Sequence, residues 1–301
     1  MDAFITAVNA TLPTFFLVAL GAFSDRLFPN LSIETLSKLS VQVFTPALMF
    51  NALVGTSLSL SDASRLSFTY VIYLAALCFI AWLASFGLST TQKRGVMATA
   101  LFGNTGNMGL PITLFAYGQA GLERAVIIFV ISIIAMFAIG PTILSGSGES
   151  LGKRFWSAIK LPPFWATIIG VLFNVLRFPV PEVAARSIAL LGGAAIPVML
   201  ISLGIQMRRS WVWDIGGAAI RTTLIRLGVG PFLAFGLATV IGLAPLDARV
   251  LILSAAMPAA VTMFVVAVEV KGDYAGVARS VVATTIASLF VIMAVIYFFP
   301  A

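Results

Sequence analysis

The sequence predicts an all-α polytopic membrane protein of ten transmembrane helices, built as a 5+5 inverted repeat. Three observations predict it. Composition comes first: 60% of the 301 residues are hydrophobic and only 10% are charged, with a mean hydropathy of +1.07. Soluble domains of this size carry far more charge. The apolar runs are also near-continuous and about 20 residues long, which suits membrane-crossing helices and not the short alternating segments of a membrane β-barrel. Finally, prolines and glycines recur in the same order in both halves.

In order, the predicted spans are Phe4 to Phe23, Ile33 to Val54, Phe68 to Leu88, Val96 to Tyr117 and Ala125 to Leu144. A polar connection over 145–161 follows, holding Gly-Ser-Gly, Glu149, Lys153, Arg154 and Lys160. The second set is Pro162 to Phe178, Ser187 to Gln206, Ala218 to Leu243, Val250 to Val270 and Val277 to Phe299. This gives a first five-helix repeat over 1–144, a cytoplasmic linker over 145–161 and a second repeat over 162–301. The start, Met1-Asp2-Ala3-Phe4, lacks a basic segment and reads as a retained span, not a cleaved signal.

Loop charge orients the chain. Of the 18 Lys and Arg residues, 13 fall in or beside odd-numbered connections, which places those connections in the cytoplasm and both termini outside. Lys38, Arg221 and Arg226 stand near helix ends, and without them the odd connections still lead by 10 to 5. Because the basic residues serve this role, the net charge of +7 does not point to nucleic acid.

The repeat rests on matched positions. Pro13 and Gly21 of span one correspond to Pro162 and Gly170 of span six at an offset of 149; Pro46 corresponds to Pro197 at 151, and Pro111 to Pro258 at 147. Five spans per half invert the second half relative to the first. Interrupted helices at matching places in two such halves mark the binding site of a secondary transporter.

The most informative stretch is Leu101-Phe-Gly-Asn104-Thr-Gly-Asn107-Met-Gly-Leu-Pro111 in span four. Glycine and proline weaken a helical ladder, and an amide facing lipid lacks partners. Such backbone survives at membrane depth only inside protein or beside a wet cavity. A helix broken here, opposite one broken at Pro258, presents half-helix N–H groups with partial positive charge, which suits an anion. Asn104 and Asn107 can hold a carboxylate, a water or a cation. Gly103, Gly106 and Gly109 read either as helix-packing positions or as points of close approach. Arg226 is read as snorkelling to the interface, neutralising a substrate carboxylate or bracing the crossing. Thr45 either faces the cavity or back-bonds to its own helix, and Cys78 packs as a small apolar residue.

Several classes are excluded. The chain has no histidine and one cysteine, so disulfides, His/Cys metal sites and histidine-based catalysis have no residues to use. No acidic residue falls near the middle of a predicted span, which removes the usual carrier of a proton relay. No catalytic set, cofactor or metal site emerges, and an enzyme is not expected.

Asn104-Thr-Gly-Asn107-Met-Gly-Leu-Pro111 resembles the fourth-helix signature of the auxin efflux carrier family, which includes plant PIN carriers and bacterial malate and malonate permeases. Val43-Phe44-Thr45-Pro46, Ser202-Leu-Gly204, Arg226 with Gly230-Pro231, and Ala256-Met-Pro258-Ala-Ala-Val agree in order along the chain. The resemblance implies a bile-acid-symporter-like transporter whose fourth and ninth helices are broken and cross. Spans 1, 2, 6 and 7 would form a scaffold, and spans 3–5 and 8–10 a moving transport domain. It also implies a substrate site of Asn104, Thr105, Gly106, Asn107 and Pro111 with Pro258, Ala259 and Thr262, lined from the scaffold by Thr45 and supported by Pro46, Ser202 and Arg226. Thr262 departs from the pattern, since bacterial relatives often carry Asn there, and the plant carriers' long central loop is absent. The implied partners are a small organic anion, the lipid bilayer and a second copy in a homodimer, with H+ or Na+ as a compatible coupling ion. The implied location is the bacterial inner membrane. The leading expectation is a secondary transporter of mono- or dicarboxylates such as malate, malonate or auxin-like acids, moving in elevator fashion. An anion channel and a non-transporting interaction protein are the alternatives.

Overall fold

The computed structural model describes residues 2–146, 151–211 and 214–300, and every named element among them is helical. In chain order they are α1 (Asp2–Leu27), α2 (Ile33–Leu39), α3 (Thr45–Val54), α4 (Leu60–Ala84), α5 (Thr90–Leu101), α6 (Leu110–Ser145) and α7 (Leu151–Ile159). There follow α8 (Pro162–Val175), α9 (Glu182–Arg209), α10 (Gly217–Thr223), α11 (Gly230–Ile241), α12 (Pro245–Ala255), α13 (Thr262–Glu269) and α14 (Tyr274–Phe298). Polar caps set several starts: Ser59 opens α4, Asp273 opens α14, and Ser89 with Gln92 forms a reciprocal capping box on α5.

Three widened π turns, Ser40–Phe44, Thr105–Gly109 and Leu224–Val229, interrupt the ladders. Each ends two residues before a proline: Pro46, Pro111 and Pro231. A proline ring collides with the carbonyl four residues back and brings no N–H of its own, and a widened turn relieves both problems.

Six helical stretches among the described residues are long and apolar enough to cross a membrane, and the bent pair Gly152–Ile159 and Pro162–Val175 would make a seventh. The ten predicted spans are therefore not ten continuous rods. Predicted spans two, four, eight and nine are assembled from shorter pieces separated by the widened turns or by open breaks. The stretch Thr105–Ser145 is 41 residues long, twice what one crossing needs. It bends at Gly118, whose φ of 65° and ψ of −163° leave the helical region, between predicted spans four and five. The connection read as a polar linker carries α7, while Glu149 lies outside the described residues.

Close glycine contacts organise one group of helices. A Cβ on Gly21 would press into the backbone of Ile201, and one on Gly204 into the backbone of Val18, so α1 and α9 touch almost backbone to backbone. Gly170 of α8 rests 3.3 Å, measured from its ideal Cβ, from the Phe50 carbonyl of α3, and Gly192 of α9 is similarly close to Leu48. Without water to drive helices together, small residues that permit such approach supply the packing. Arg209 adds an ion pair to Asp25 at 2.7 Å, with Arg208 at 3.4 Å, across the ends of α1 and α9. The second group gathers α5, α10 and α14 on one side and α4 and α12 against α6 on the other, with α11 resting on α12 and α4. Among the contacts between the groups, Thr56, just after α3, donates from its hydroxyl to Glu123 Oε2 of α6 at 2.6 Å. Arg124, next along α6, pairs with buried Asp247 of α12.

Candidate functional site

α5 ends at Leu101 because the next residues cannot continue it. Phe102 turns extended at φ −98° and ψ 105°, Gly103 favours no helix, and Asn104 takes φ −77° and ψ 57°. The helix resumes at Thr105 in the widened turn, where the Asn104 carbonyl accepts from Gly109 N–H at 3.0 Å. The predicted break, Asn104 to Pro111, is thus shifted: only 102–104 are open. Asn107, Gly109 and Pro111 already belong to the resumed helix, where proline is tolerated near the start. α12 stops at Ala255, and Pro258 removes a donor from the following residues until α13 begins at Thr262.

The two open segments lie against each other as a short antiparallel bridge centred on Gly103 and Ala259. Asn104 N–H donates to the Pro258 carbonyl at 2.7 Å, and Ala260 N–H to the Phe102 carbonyl at 2.9 Å. Ala259 N–H turns to Thr284 Oγ1 of α14 at 3.1 Å. Each break therefore satisfies the other's backbone, as a buried irregular segment requires.

Arg226, in the third widened turn, is 0% exposed, so it does not snorkel to an interface. Its Nε donates to the Met257 carbonyl at 2.9 Å, Nη1 to Ala100 and Leu101 at 3.2 and 3.1 Å, and Nη2 to Ser254 at 3.3 Å. Ala100, Leu101 and Ser254 lie at the C-terminal ends of α5 and α12 and Met257 just beyond α12, where the last carbonyls of a helix lack intrahelical donors and carry partial negative charge. One guanidinium closes both ends. It also explains Gly103, since a Cβ there would sit inside the guanidinium. Gly106 makes room for the Phe129 ring in the same way, at 2.6 Å from the ideal Cβ, whereas Gly109 has ordinary space around it. The first two glycines are thus points of close approach, to side chains and not to a second helix.

Among the buried polar atoms without a hydrogen-bond partner are Asn104 Nδ2, Thr45 Oγ1 and Ser202 Oγ. Orphaned donors of this kind are rare and call for an explanation. Thr45 is informative because Thr11, Thr69, Thr99 and Thr285 all return a hydroxyl bond to the carbonyl four residues back. Thr45 does not, so back-bonding does not account for it. The widened turn before it takes its N–H to the Ser40 carbonyl, five residues back. α3 packs on α9, the helix of Ser202, and α9 packs on the widened turn that follows Asn104.

The structure brings Asn104, Pro258 and Ala259 into direct contact and buries Thr105, Gly106 and Pro111 on the resumed helix. Asn107, Thr262 and Pro46 are half-buried. Thr45 and Ser202 stand on neighbouring helices with no bond to the break. Gln42 and Asn51, polar residues of span two, face outward. Sequence reasoning missed Thr284 and Phe129, whose roles depend on the fold bringing α14 and the far part of α6 to the breaks. It also placed Glu123 in a connection, where the structure buries it against Thr56.

The profile of a family described as membrane transport protein matches residues 6–297. An uncharacterized transporter of Methanothermobacter thermautotrophicus is 29% identical over 294 residues, covering 95% of this chain and 96% of the relative. A protein assigned as a malonate transporter in Rhizobium meliloti is 24% identical over 304 residues, covering 95% of this chain and 93% of that one. Auxin efflux carrier component 8 of Arabidopsis thaliana is 34% identical over 130 residues, 41% of this chain and 35% of the plant protein.

Proposed function

The chain belongs to the auxin efflux carrier family of membrane transport proteins and is a multi-pass membrane transporter, and from that premise we propose that it is a secondary carrier of small organic anions. The observation that carries the reading is the paired break with the buried, unpartnered Asn104 amide beside it. A donor held without an acceptor in a dry interior is costly unless a guest supplies the acceptor. The half-helices that restart at Thr105 and Thr262 add N-terminal N–H groups of partial positive charge, and a carboxylate fits that field. The relatives' names, malonate transporter and auxin efflux carrier, favour the same class of cargo.

In this reading the chain is ten spans in two inverted halves, with the widened turns and breaks accounting for the shorter pieces. The matched glycines support it: Gly21 of span one rests on α9, and Gly170 of span six rests on α3. α1, α2, α3, α8 and α9 form the scaffold, and the group around the breaks moves past it in elevator fashion to expose the site alternately on each side. Asn104, Thr105, Gly106, Asn107, Pro111, Pro258, Ala259 and Thr262 hold the anion, with Thr45 and Ser202 facing it from the scaffold. The carrier sits in the bacterial inner membrane with both termini outside, as a homodimer.

The test is uptake of labelled malonate, malate and indole-3-acetate into proteoliposomes, with internal unlabelled anion to drive counterflow. Saturable, trans-stimulated uptake of at least one anion is expected. Flux without saturation or counterflow would indicate a channel, and no flux of any organic acid would leave an interaction role; either result rejects the carrier.

A further inference from the structure

Arg226 is a full positive charge in the interior, and all four of its hydrogen bonds go to main-chain carbonyls. Helix-end carbonyls stabilise a cation, but dipoles carry no net charge. Among the described residues no carboxylate bonds to Arg226, and it is the one ionised side chain bonded to either break. Elsewhere on α6, Arg124 pairs with Asp247 and Glu123 accepts from the Thr56 hydroxyl, and neither Arg124 nor Glu123 bonds to a break. The paired breaks together with Arg226 thus carry one unmatched positive charge. Because the guanidinium is bonded to the ends of both α5 and α12, it cannot stay behind when the breaks move.

We propose that Arg226 is the travelling counter-charge of this carrier, so that the site takes its cargo as a monoanion and the loaded breaks together with Arg226 are electrically neutral. This rests on the carrier reading above and narrows its substrate class. A charge crossing the middle of a membrane is expensive. A singly charged carboxylate cancels that of Arg226 during the loaded step, whereas a dianion leaves one negative charge uncompensated. The empty unit returns with one positive charge. Voltage therefore acts on the empty return and not on the loaded crossing, and an interior-negative potential speeds net efflux by drawing the empty unit inward.

The experiment uses proteoliposomes clamped with potassium and valinomycin, with indole-3-acetate as the singly charged probe and malonate at neutral pH as the doubly charged one. One charge crossing a potential of about 100 mV changes a rate by up to about fiftyfold, or about sevenfold if the barrier lies half-way. Exchange of indole-3-acetate against itself is expected to change by less than about twofold over that range, while its net efflux changes by about sevenfold or more. Malonate exchange, if it occurs, responds to voltage. In Arg226→Gln the indole-3-acetate exchange becomes voltage-sensitive, and in Arg226→Lys it stays insensitive. Voltage-sensitive exchange of the monoanion in the wild type, or insensitive exchange of the dianion, overturns the proposal even where Arg226→Gln does not fold. If neither anion exchanges saturably, the carrier reading fails and the counter-charge with it.

Discussion

Asn104 holds the break with its main chain and leaves its side chain without a partner. Its N–H reaches Pro258 and its carbonyl accepts from Gly109, while Nδ2 is buried without a partner. Asn104→Ala should therefore keep the fold, read as an unchanged melting temperature, while anion uptake falls about tenfold or more, the worth of one lost bond to a charged acceptor. The same logic separates threonines. Thr285→Val removes a hydroxyl bond to the Val281 carbonyl and should cost about 1 kcal/mol; Thr45→Val removes none and should leave stability in place while lowering uptake. Gly103→Ala is the opposite case, since the added methyl enters the space of the Arg226 guanidinium. Overpacking there should cost about 1–3 kcal/mol. Asn104 and Arg226 were both legible in the sequence because a polar residue among apolar ones stands out. The choice among the roles open to Arg226 was not legible, because its partners are carbonyls of residues about 30 and 125 positions away, which no side-chain pattern encodes.

Helices here are interrupted for local reasons and joined for steric ones. The three widened turns each precede a proline, so their neighbourhoods were readable; the exact limits of the fourth-span break were not. Proline near a helix start needs no break, and the open residues proved to be 102–104, where Asn104 N–H donates to Pro258 and Ala260 N–H to Phe102 across a distance in sequence that only the fold closes. Helix lengths misled for a related reason. A rule of 20 apolar residues counts crossings, but it sees neither the widened turn inside predicted span two nor the single bent stretch Thr105–Ser145. The sequence pairs Gly21 with Gly170, and the structure adds what each touches. Gly21→Ala and Gly204→Ala should each weaken α1–α9 packing by about 1–3 kcal/mol. Gly236→Ala, with open space around it, should be neutral or stabilising by up to about 1 kcal/mol. Melting of the purified variants checks all three.

For the molecule as a whole, two groups of helices meet along contacts that must change if one slides past the other. Thr56 and Glu123 span that boundary, while Asp25 and Arg209 lie within one group. A short thiol cross-linker joining Thr56→Cys to Glu123→Cys, with Cys78 replaced, should stop counterflow, and reversal of the link should restore it. The same linker between Asp25→Cys and Arg209→Cys should leave flux intact. Arrest by both, or by neither, would contradict motion between these groups. A carrier of this design holds its anion at the joined breaks. Equilibrium binding of labelled malonate and indole-3-acetate to purified wild type and Asn104→Ala, with melting measured in parallel, tests this most directly. Saturable binding to the wild type and its loss in an equally stable variant is the predicted result; equal binding to both proteins would contradict it.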